Sequence, residues 1–549
     1  MPFDHYGYHI RALDAQNRGM LRGLKLNGPF WRSGPNGCPN AAFPASVVKG
    51  LMEGYCTPDS AFYRDPVCLT ASAECIEAAL DLQHEDGTID LPETNFHDAA
   101  QMSFTLQRLV PVYELMLARL GTGAEERRLA ERVGLFIDRG ADGIMNGGFH
   151  TPNHRWVESS ALALASHATG RTELMSKVNA FLNEGIDCDE DGEFTEKSNG
   201  VYNIICDRSL IYLARLLEDR REELYGFVTR NLRAVMSFIE PDGTINTMSS
   251  TRQDWFTSPK WTIYYSIFLY MAVETGDPEF AWMAEHMQDR NMDRHVYYDY
   301  HPEYELDPEM RKKMACLETK EPERHVNRYF SKSGMARYRD GRFSLSLVRD
   351  QPCFAKLQQR DHTVFLRFAG CFYAQGQFAA QEMERTDKGW RMTYRKRWGY
   401  KSPLPEKQDT SDWRMMDHSK RQDVMMQDFI LTADAEPLER GLRLHLHSEG
   451  IDRVPLKFEI MLQPGGMYIN EAAEMNGRGG DYVYQKTDQA TYRYGDMCML
   501  HIRGAFHTHV YGEAMRGSIY ADGDHFFVCF TAFTPIDRTV ELVFEDVEE

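Results

Sequence analysis

The sequence lacks the long apolar runs, paired cysteine motifs and basic surplus by which several large classes of protein are recognised. No apolar run approaches the ~20 residues that a membrane helix needs, so no membrane-spanning segment is expected. The N-terminus, Met1-Pro2-Phe3-Asp4-His5, has neither the basic nor the apolar part of a signal peptide. We therefore expect a cytoplasmic protein, or a secreted one if a signal peptide has been trimmed from a longer chain.

Cysteine spacing and charge narrow the classes further. None of the eleven cysteines forms a CxxC or another zinc-knuckle spacing, so free thiols in a reducing compartment fit best. The formal net charge of −20 argues against nucleic-acid and membrane partners, which require basic surfaces. Such an acidic protein can bind an anionic substrate only through a local pocket of arginine and histidine.

Several catalytic motifs are also missing. There is no Walker A sequence and no GxGxxG after a strand, so no phosphate-binding loop is expected. No Gly-x-Ser-x-Gly elbow offers a serine nucleophile, and no HExxH helix suggests a zinc protease. His445 and His447 alternate along a predicted strand and could hold a metal, although two solvent-facing histidines explain the pattern more simply. We expect no metal and no organic cofactor.

The length of 549 residues exceeds what one hydrophobic core supports, so two or three domains are expected. Residues 1–60 read as an irregular start with one or two helices. From about Phe62 to Asp293 apolar residues recur at i, i+3, i+4 spacing, and Gly or Pro separates most of the periodic stretches. The predicted helices are Ala71–Leu82, Ala99–Leu120, Glu125–Gly140, Val157–Thr169, Leu174–Gly185, Ile204–Leu217, Glu222–Ile239, Trp261–Val273 and Glu279–Gln288.

An Asp-Gly dipeptide recurs about every fifty residues in this predicted helical region, at Asp86-Gly87, Asp142-Gly143, Asp191-Gly192 and Asp242-Gly243. Asp-Gly is a common turn, so four of them could arise by chance. The regular spacing and the matching helices nevertheless favour one helical hairpin per repeat, which is typical of a solenoid or closed toroid.

If the four Asp-Gly turns are equivalent, the segments that follow them lie at one end of the helical domain. The second of these segments, Gly147 to Trp156, is the most concentrated, and Asn153 is its expected N-cap for the next helix. Together the segments would bring His, Asn, Tyr, Trp and Arg side chains to one rim. The candidate site residues are Asn95, His97, His150, Asn153, His154, Arg155, Asn199, Tyr202, Arg208, Arg252 and Trp255.

A second domain is indicated by a change of period. Residues 294–325 look like a linker, and from Val326 apolar residues alternate in short runs with Asp-Gly and Pro-Gly-Gly turns between them. An antiparallel β-sandwich is therefore expected over residues 326–549, after an (α/α) toroid over residues 1–293. The predicted strands are 334–339, 343–348, 364–368, 442–447, 456–460 and 526–530.

The rim composition suits one reaction class, the β-elimination of a uronic acid. An amide or an arginine must neutralise the carboxylate, a base such as His or Tyr must take the C5 proton, and an acid must protonate the leaving C4 oxygen. Asn153, His154, Tyr202 and Arg208 are the right residue types.

The toroid-then-sandwich layout, the pair Asn153-His154 and the tyrosine Tyr202 one repeat later resemble the heparinase II/III and alginate lyase group of polysaccharide lyases. The resemblance implies that a His or Tyr of the β domain completes the site, and His362 is the best positional match. Thr151 to Trp156 and Glu196 to Asn203 most resemble lyases that remove terminal rhamnose from glucuronate. The metal-site and substrate-loop residues of heparinases are not recognisable, which argues against heparin-like substrates.

By analogy with the group, Tyr202 is expected to act as base and acid in a syn elimination, with Asn153 and His154 neutralising the carboxylate. An anti elimination would instead use His154 or His362 opposite Tyr202. Arg155, Arg208 and Arg252 would orient the anion. The expected partner is a uronate-containing glycan, and a homo-oligomer is compatible with the sequence.

Two other classes of protein remain open at this stage. Helical toroids also include glycoside hydrolases, which need paired carboxylates. Such a pair could come from the acidic residues of the same segments, Asp98, Glu158, Glu193 and Asp254. A non-catalytic carbohydrate-binding protein would be consistent with the aromatic content of 12%.

Overall fold

The computed structural model describes residues 3–27, 38–287, 299–407, 409–495, 498–511 and 515–546. The chain divides into two compact units. The first comprises Met1–Ile239 and Thr244–Pro322, and the second comprises Glu240–Gly243 and Glu323–Glu549. The short segment after Ile239 therefore belongs to the second unit although the residues on both sides of it belong to the first.

The first unit is helical, as the apolar period predicts. All nine predicted helices are confirmed, with ends that differ by up to six residues, although the predicted end Gln288 lies outside the described residues. Two further helices lie in the described part of the first sixty residues. The helices are α1 (His5–Asn27), α2 (Ala42–Cys56), α3 (Pro66–Leu82), α4 (Ala99–Arg119), α5 (Ala124–Asn146), α6 (Pro152–Thr169), α7 (Met175–Asn183), α8 (Tyr202–Leu216), α9 (Arg221–Phe238), α10 (Tyr265–Thr275), α11 (Pro278–His286), α12 (His301–Leu306) and α13 (Pro308–Ala315).

The helices of this unit form two layers. Helices α2, α4, α6, α8 and α10 pack side by side in that order, and α3, α5, α7, α9 and α11 pack against them. Most side chains of α6 and α10 are buried, as expected for helices enclosed by neighbours. Helix α13 contacts both α10 and α1, and α1 contacts α2.

The Asp-Gly repeat is formed at three of its four positions. Gly87, Gly192 and Gly243 adopt φ values of 83°, 88° and 74°, the left-handed region that favours glycine. Gly143 differs, because α5 continues through it to Asn146. Its lack of a side chain lets α5 approach the first turn, since a Cβ at Gly143 would lie 2.6 Å from the carbonyl carbon of Gly87.

Part of the stretch expected to be a linker is helical. Residues 294–298 lie outside the described residues, and the stretch from His301 to Ala315 forms α12 and α13. Each helix has a proline in its first turn, as the second residue of α12 and the first of α13. Tyr300 and Tyr304 are buried, and α12 packs against α4. The described part of this stretch up to Pro322 thus belongs to the first unit.

The second unit consists of two large sheets. Their strands are β3 (Val326–Phe330), β4 (Met335–Asp340), β5 (Phe343–Val348), β6 (Cys353–Gln359), β7 (His362–Gly370), β8 (Glu382–Arg385), β9 (Trp390–Lys401), β10 (Asp423–Leu438), β11 (Gly441–Gly450), β12 (Pro455–Leu462), β13 (Met467–Ile469), β14 (Glu474–Asn476), β15 (Tyr482–Tyr484), β16 (Gln489–Tyr494), β17 (Cys498–Arg503), β18 (Phe526–Phe533) and β19 (Asp537–Asp546). One sheet has the order β14-β13-β16-β17-β19-β11-β10-β9-β8, and the other β15-β18-β12-β7-β6-β5-β4-β3. Among these described strands, neighbours are antiparallel except β15 and β18, which are parallel. A separate hairpin, β1 (Ile89–Leu91) and β2 (Asn95–Asp98), belongs to the first unit.

The two sheets share one hydrophobic core, as in a β-sandwich. Leu345 and Phe368 of one sheet and Leu431 and Leu444 of the other belong to the same cluster of buried side chains. All six predicted strands are confirmed. Within the described residues, no helix is both long enough and apolar enough to cross a membrane.

Candidate functional site

Helix α6 begins two residues earlier in the segment Gly147 to Trp156 than expected. Thr151 is the N-cap residue and makes no side-chain cap, and Pro152 is the first helical residue. Proline suits this position because its fixed φ is helical and its missing N–H would have no partner there. Asn153 is therefore the second residue of the helix, and the expectation that it caps the helix is wrong.

Asn153 is fully buried and connects two loops. Its backbone N–H and its Nδ2 both donate to Glu196 Oε2, at 3.0 and 2.8 Å, and Nδ2 also donates to Thr151 Oγ1 at 3.0 Å. Both amide N–H groups are thus engaged by the protein, whereas Oδ1 is buried without a hydrogen bond. In this conformation Asn153 positions Glu196 and has no N–H free for a substrate carboxylate.

Glu196 is a central residue of this site that sequence reasoning missed. Its Oε1 lies 3.2 Å from Nε of Arg252, and the backbone N–H and hydroxyl of Thr251 donate to its carbonyl oxygen. Burial raises the pKa of Glu196. The hydrogen bonds from Asn153 and the charge of Arg252 lower this pKa, but by less than burial raises it. The signal that could have found it is positional, because Glu196 lies in the loop after the third Asp-Gly turn.

Arg252 and Tyr202 form the exposed part of the same cluster. The guanidinium carbon of Arg252 lies 5.2 Å from the ring centroid of Tyr202, and the Tyr202 hydroxyl donates to Gln253 Oε1 at 2.8 Å. Among the described residues, the two terminal nitrogens of Arg252 have no hydrogen-bond partner. Arg252 therefore retains donors that an anion can occupy.

The loops that carry this cluster are fixed by Asp254. One carboxylate oxygen accepts from the hydroxyls of Ser198 and Ser250 at 2.8 and 2.5 Å, and the other accepts from the N–H of Gly200 at 2.9 Å. The Ser198 hydroxyl in turn accepts the backbone N–H of Tyr202 at 3.1 Å. Asp254 thus holds the start of α8, and with it the tyrosine.

His154 is half-buried in the first turn of α6. Its Nδ1 faces the backbone N–H of His150 at 3.4 Å, and its ring packs edge-on against Phe104. Because Nδ1 accepts that N–H, the ring proton of the neutral imidazole is assigned to Nε2. Burial lowers the pKa of His154 to about 4, so the ring is neutral at neutral pH. His150 beside it is exposed.

Two of the three predicted arginines are engaged elsewhere. Arg208 lies further along α8 and is buried, where it donates to Gln107 at 2.8 Å and pairs with Asp299 at 3.1 Å. Arg155 pairs with Glu184 and Asp187 at 3.0 and 3.4 Å, and its guanidinium lies over the ring of Trp156. Only Arg252 of the three has the geometry expected of an anion-orienting residue.

The first predicted segment has its own polar network. His97 adopts a positive φ of 51°, pairs with Asp86 at 2.7 Å and stacks on His84 at 3.7 Å. Asn95 donates to the side chain of Asp98 at 2.8 Å. These contacts hold the hairpin β1–β2 and the start of α4.

The other candidates differ in exposure and location. Asn199 is buried and accepts from Asn203, whereas Trp255 is exposed and packs against Phe256. His362 is the first residue of β7 in the second unit, where its ring stacks on Tyr494 at 4.2 Å. Burial lowers the pKa of His362.

The acidic residues that a hydrolase would need are largely engaged by the protein. Asp98 caps α4 by accepting two backbone N–H groups, and the buried Glu158 pairs with Lys177 at 2.9 Å. Asp254 accepts the three hydrogen bonds described above. Glu193 is buried at the third Asp-Gly turn. Within the described residues, no group of three His, Cys, Asp or Glu side chains has metal-binding geometry, and His445 pairs with Asp537 at 2.8 Å.

The chain matches no protein-family model, and no curated protein sequence matches it significantly. Its structure resembles the crystal structure of heparinase III with a TM-score of 0.56 and 10% identity, over 92% of this chain and 78% of that one. It also resembles a Paenibacillus xanthan lyase with a TM-score of 0.56 and 9% identity, over 100% of this chain and 58% of that one. The chain therefore has the fold of these two polysaccharide lyases, a helical unit followed by a unit of two antiparallel sheets.

Proposed function

We propose that this protein is a polysaccharide lyase that cleaves the glycosidic bond at C4 of a uronic acid by β-elimination. One observation carries the proposal: Arg252, with unpartnered donors, lies over the ring of Tyr202 beside the buried Asn153–Glu196 contact. These residue types meet the needs of the reaction, and the fold is one that polysaccharide lyases have.

We also propose that the helices of the first unit close into an (α/α) toroid. The side-by-side series from α2 to α10 continues through the contacts of α13 with α10 and α1, and of α1 with α2. A ring of this kind would bring the loops before α6, before α8 and after α9 to one end. The hydrogen bonds that join Asn153 to Glu196 and Thr251 to Glu196 support this arrangement.

The reaction requires no external reagent. A base removes the C5 proton, the released electron pair forms the C4–C5 double bond, and the C4–O bond breaks with its electrons on oxygen. The leaving oxygen then takes up a proton from an acid. In glucuronate the C5 proton and the C4 oxygen lie on the same side of the ring, so one residue can remove the first proton and supply the second.

Tyr202 suits this double role. Its oxygen, once deprotonated, takes the C5 proton and returns it to the C4 oxygen. The guanidinium of Arg252 over the ring stabilises negative charge on the phenolate and on the carboxylate, where the enolate develops. The neutral His154 donates Nε2–H to the same carboxylate. Asn153 acts as a positioning residue through Glu196.

The substrate we propose is glucuronate that carries a terminal rhamnose at C4. The support is the resemblance of Thr151 to Trp156 and of Glu196 to Asn203 to lyases with this activity. A chain of net charge −20 favours a sparsely charged glycan over a densely charged one, because repulsion opposes the approach of many anionic groups.

Absorbance at roughly 232 nm, where the conjugated C4–C5 double bond absorbs, tests the function on a panel of uronate glycans. The panel includes rhamnose-capped arabinogalactan, alginate and heparan sulfate. We expect the absorbance to rise with at least one member of the panel, and that member identifies the uronate. Release of reducing sugar without absorbance would indicate a hydrolase, and binding without either would indicate a non-catalytic carbohydrate-binding protein.

A further inference from the structure

One part of the second unit extends beyond the shared core. At this end, residues 395–401 of β9 and residues 423–428 of β10 contain the last pairs of the two strands, from Arg397 opposite Asp428 to Lys401 opposite Asp423. Every side chain in these two stretches is at least partly exposed. We name these stretches, with the connecting residues 402–422, the aromatic arm; all of it except Gln408 lies within the described residues.

Large apolar side chains are concentrated on the aromatic arm. Trp398, Tyr400, Trp413, Met415 and Met425 are each between 45% and 73% exposed. Grouped exposed aromatic residues on a folded protein mark an interaction surface more often than a solvated one. A surface of this composition is therefore expected to have a ligand.

A bulge sets the direction of the strand aromatics. The register shifts between Val424 and Gln427, and Met425 adopts a positive φ of 53°. Gly399 lies opposite this irregularity, where a Cβ would come within 2.6 Å of the Val424 carbonyl oxygen. Because side chains alternate along a strand, Trp398 and Tyr400 project from the same face, with their Cα atoms ~7 Å apart.

The connecting segment holds a third aromatic in place. Arg421 donates from Nε to the carbonyl of Ser402 at 2.7 Å and lies 5.2 Å from the ring centroid of Trp413. His418 donates to the Trp413 carbonyl at 2.6 Å and packs against its ring. Trp413 thus remains 60% exposed but is fixed to the end of the strand that carries Trp398 and Tyr400.

Charge indicates the kind of ligand. Strand β9 carries five cations and no acid, and the aromatic arm as a whole has eight cations against six acids in a chain of net charge −20. Arg395 and Arg397 pair with Glu382 and Asp428 at 3.5 and 3.4 Å, but both pairs are more than half exposed. Exposed ion pairs of this kind contribute little, so an anionic ligand can replace the acidic partner.

We propose that the aromatic arm binds an acidic polysaccharide chain, with Trp398, Tyr400 and Trp413 stacking on sugar rings and neighbouring cations contacting carboxylates. The apolar face of a pyranose carries C–H groups that pack on the electron-rich face of an aromatic ring. The choice of a glycan as the ligand rests on the proposed function. The argument that the arm is an interaction surface does not depend on that function. The arm would hold a polymer that a lyase site degrades.

Affinity electrophoresis of the full-length protein in native gels tests the proposal. All proteins tested carry Tyr202→Phe, so that they do not degrade the polysaccharide in the gel. Each gel contains gum arabic, alginate or the uncharged locust bean gum. We expect retardation by an acidic gum that weakens with added NaCl, and none by locust bean gum. The double variant Trp398→Ala/Trp413→Ala should raise the apparent Kd at least about tenfold.

The matched control is Tyr63→Ala, because Tyr63 is an aromatic of the first unit with 44% exposure against 45% for Trp398. Its retardation should equal that of the parent. Retardation of the double variant equal to that of the parent would overturn the proposal, as would equal retardation by locust bean gum. The single variant Trp413→Ala provides the same comparison if the double variant does not fold.

Sedimentation velocity tests whether the aromatic arm instead contacts a second copy of this chain. An unchanged oligomeric state in the double variant supports the proposal, and a change of state would instead assign the arm to a contact between copies of this chain. Stronger retardation in a gel that contains single-stranded DNA than in a gel that contains gum arabic would assign the aromatic arm to nucleic-acid binding. If the parent protein produces no absorbance at 232 nm but the double variant weakens retardation, the lyase proposal alone is refuted. If absorbance rises but the double variant leaves retardation unchanged, the proposal for the aromatic arm alone is refuted.

Discussion

Replacing Glu240 by glutamine should destabilise the second unit strongly. The carboxylate is fully buried and receives Arg337 at 3.0 Å, Lys356 at 2.9 Å and the hydroxyl of Ser344 at 2.5 Å. The two cations hold the pKa of Glu240 well below its ordinary value, despite burial. Glutamine keeps the size of the side chain but removes the charge and turns an N–H₂ group toward a cationic donor.

The expected cost is large because both cations stay buried. Arg337 is 0% and Lys356 7% exposed, so each loses its counter-charge without gaining water. Removing one partner of a buried ion pair costs about 3–5 kcal/mol. At roughly 2–4 °C per kcal/mol for a unit of this size, Tm should fall by about 6–20 °C.

Differential scanning calorimetry at pH 7 measures this change against a matched control. Glu382→Gln removes the same charge in the same unit, from a pair with Arg395 at 3.5 Å that is more than half exposed. Its effect should stay below about 1 kcal/mol. Because the pKa of Glu240 is lowered, its contribution is complete above the ordinary glutamate pKa of about 4.3 and is lost as the pH falls below it. Equal Tm shifts for the two variants would refute the reasoning.

Three further outcomes are expected. Arg252→Gln should lower kcat/KM about 100-fold, with partial recovery in Arg252→Lys, when initial rates are followed at 232 nm, because the charge on the enolate loses its stabiliser. Since burial lowers the pKa of His154 to about 4, the pH–rate profile should show no inflection assignable to this residue near pH 6.5, and the loss of activity due to its protonation is expected only as the pH approaches 4. Gly87→Ala should destabilise by at least about 3 kcal/mol in urea unfolding, because its Cβ would lie 1.9 Å from the Arg139 carbonyl oxygen. Gly170→Ala has a similar φ of 76° in open space and should cost only about 1–2 kcal/mol.

The fold could be predicted from the sequence because its period is local. Helices α3 to α11 and the strands of the sandwich follow from apolar spacing, which neighbouring residues alone determine. The Asp142-Gly143 turn could not be excluded in this way. Glycine there serves the close packing of α5 on Gly87, a contact between residues more than fifty positions apart.

The loops that carry the candidate site could be predicted from the sequence, but the pairing of its charged side chains could not, for a similar reason. Asn153, His154, Tyr202 and Arg252 lie in the loops and first turns that the repeat indicated. The ion pairs of the remaining arginines could not be predicted, since a guanidinium on an enclosed helix such as α8 finds a buried partner, and Asp299 is 91 residues away from Arg208. Glu196 was missed because its position after the third Asp-Gly turn is its one sequence signal, and a single acidic residue in a loop has no further pattern until its partners are known.

The initial rate at 232 nm on the active member of the glycan panel, compared between the parent protein and Tyr202→Phe, tests the lyase assignment most directly. The variant keeps the ring beneath Arg252 and removes only the oxygen that would carry the proton. A loss of at least about 100-fold with unchanged thermal unfolding is expected, since a general base and acid contribute that much or more. A rate equal to that of the parent would contradict the assignment of Tyr202.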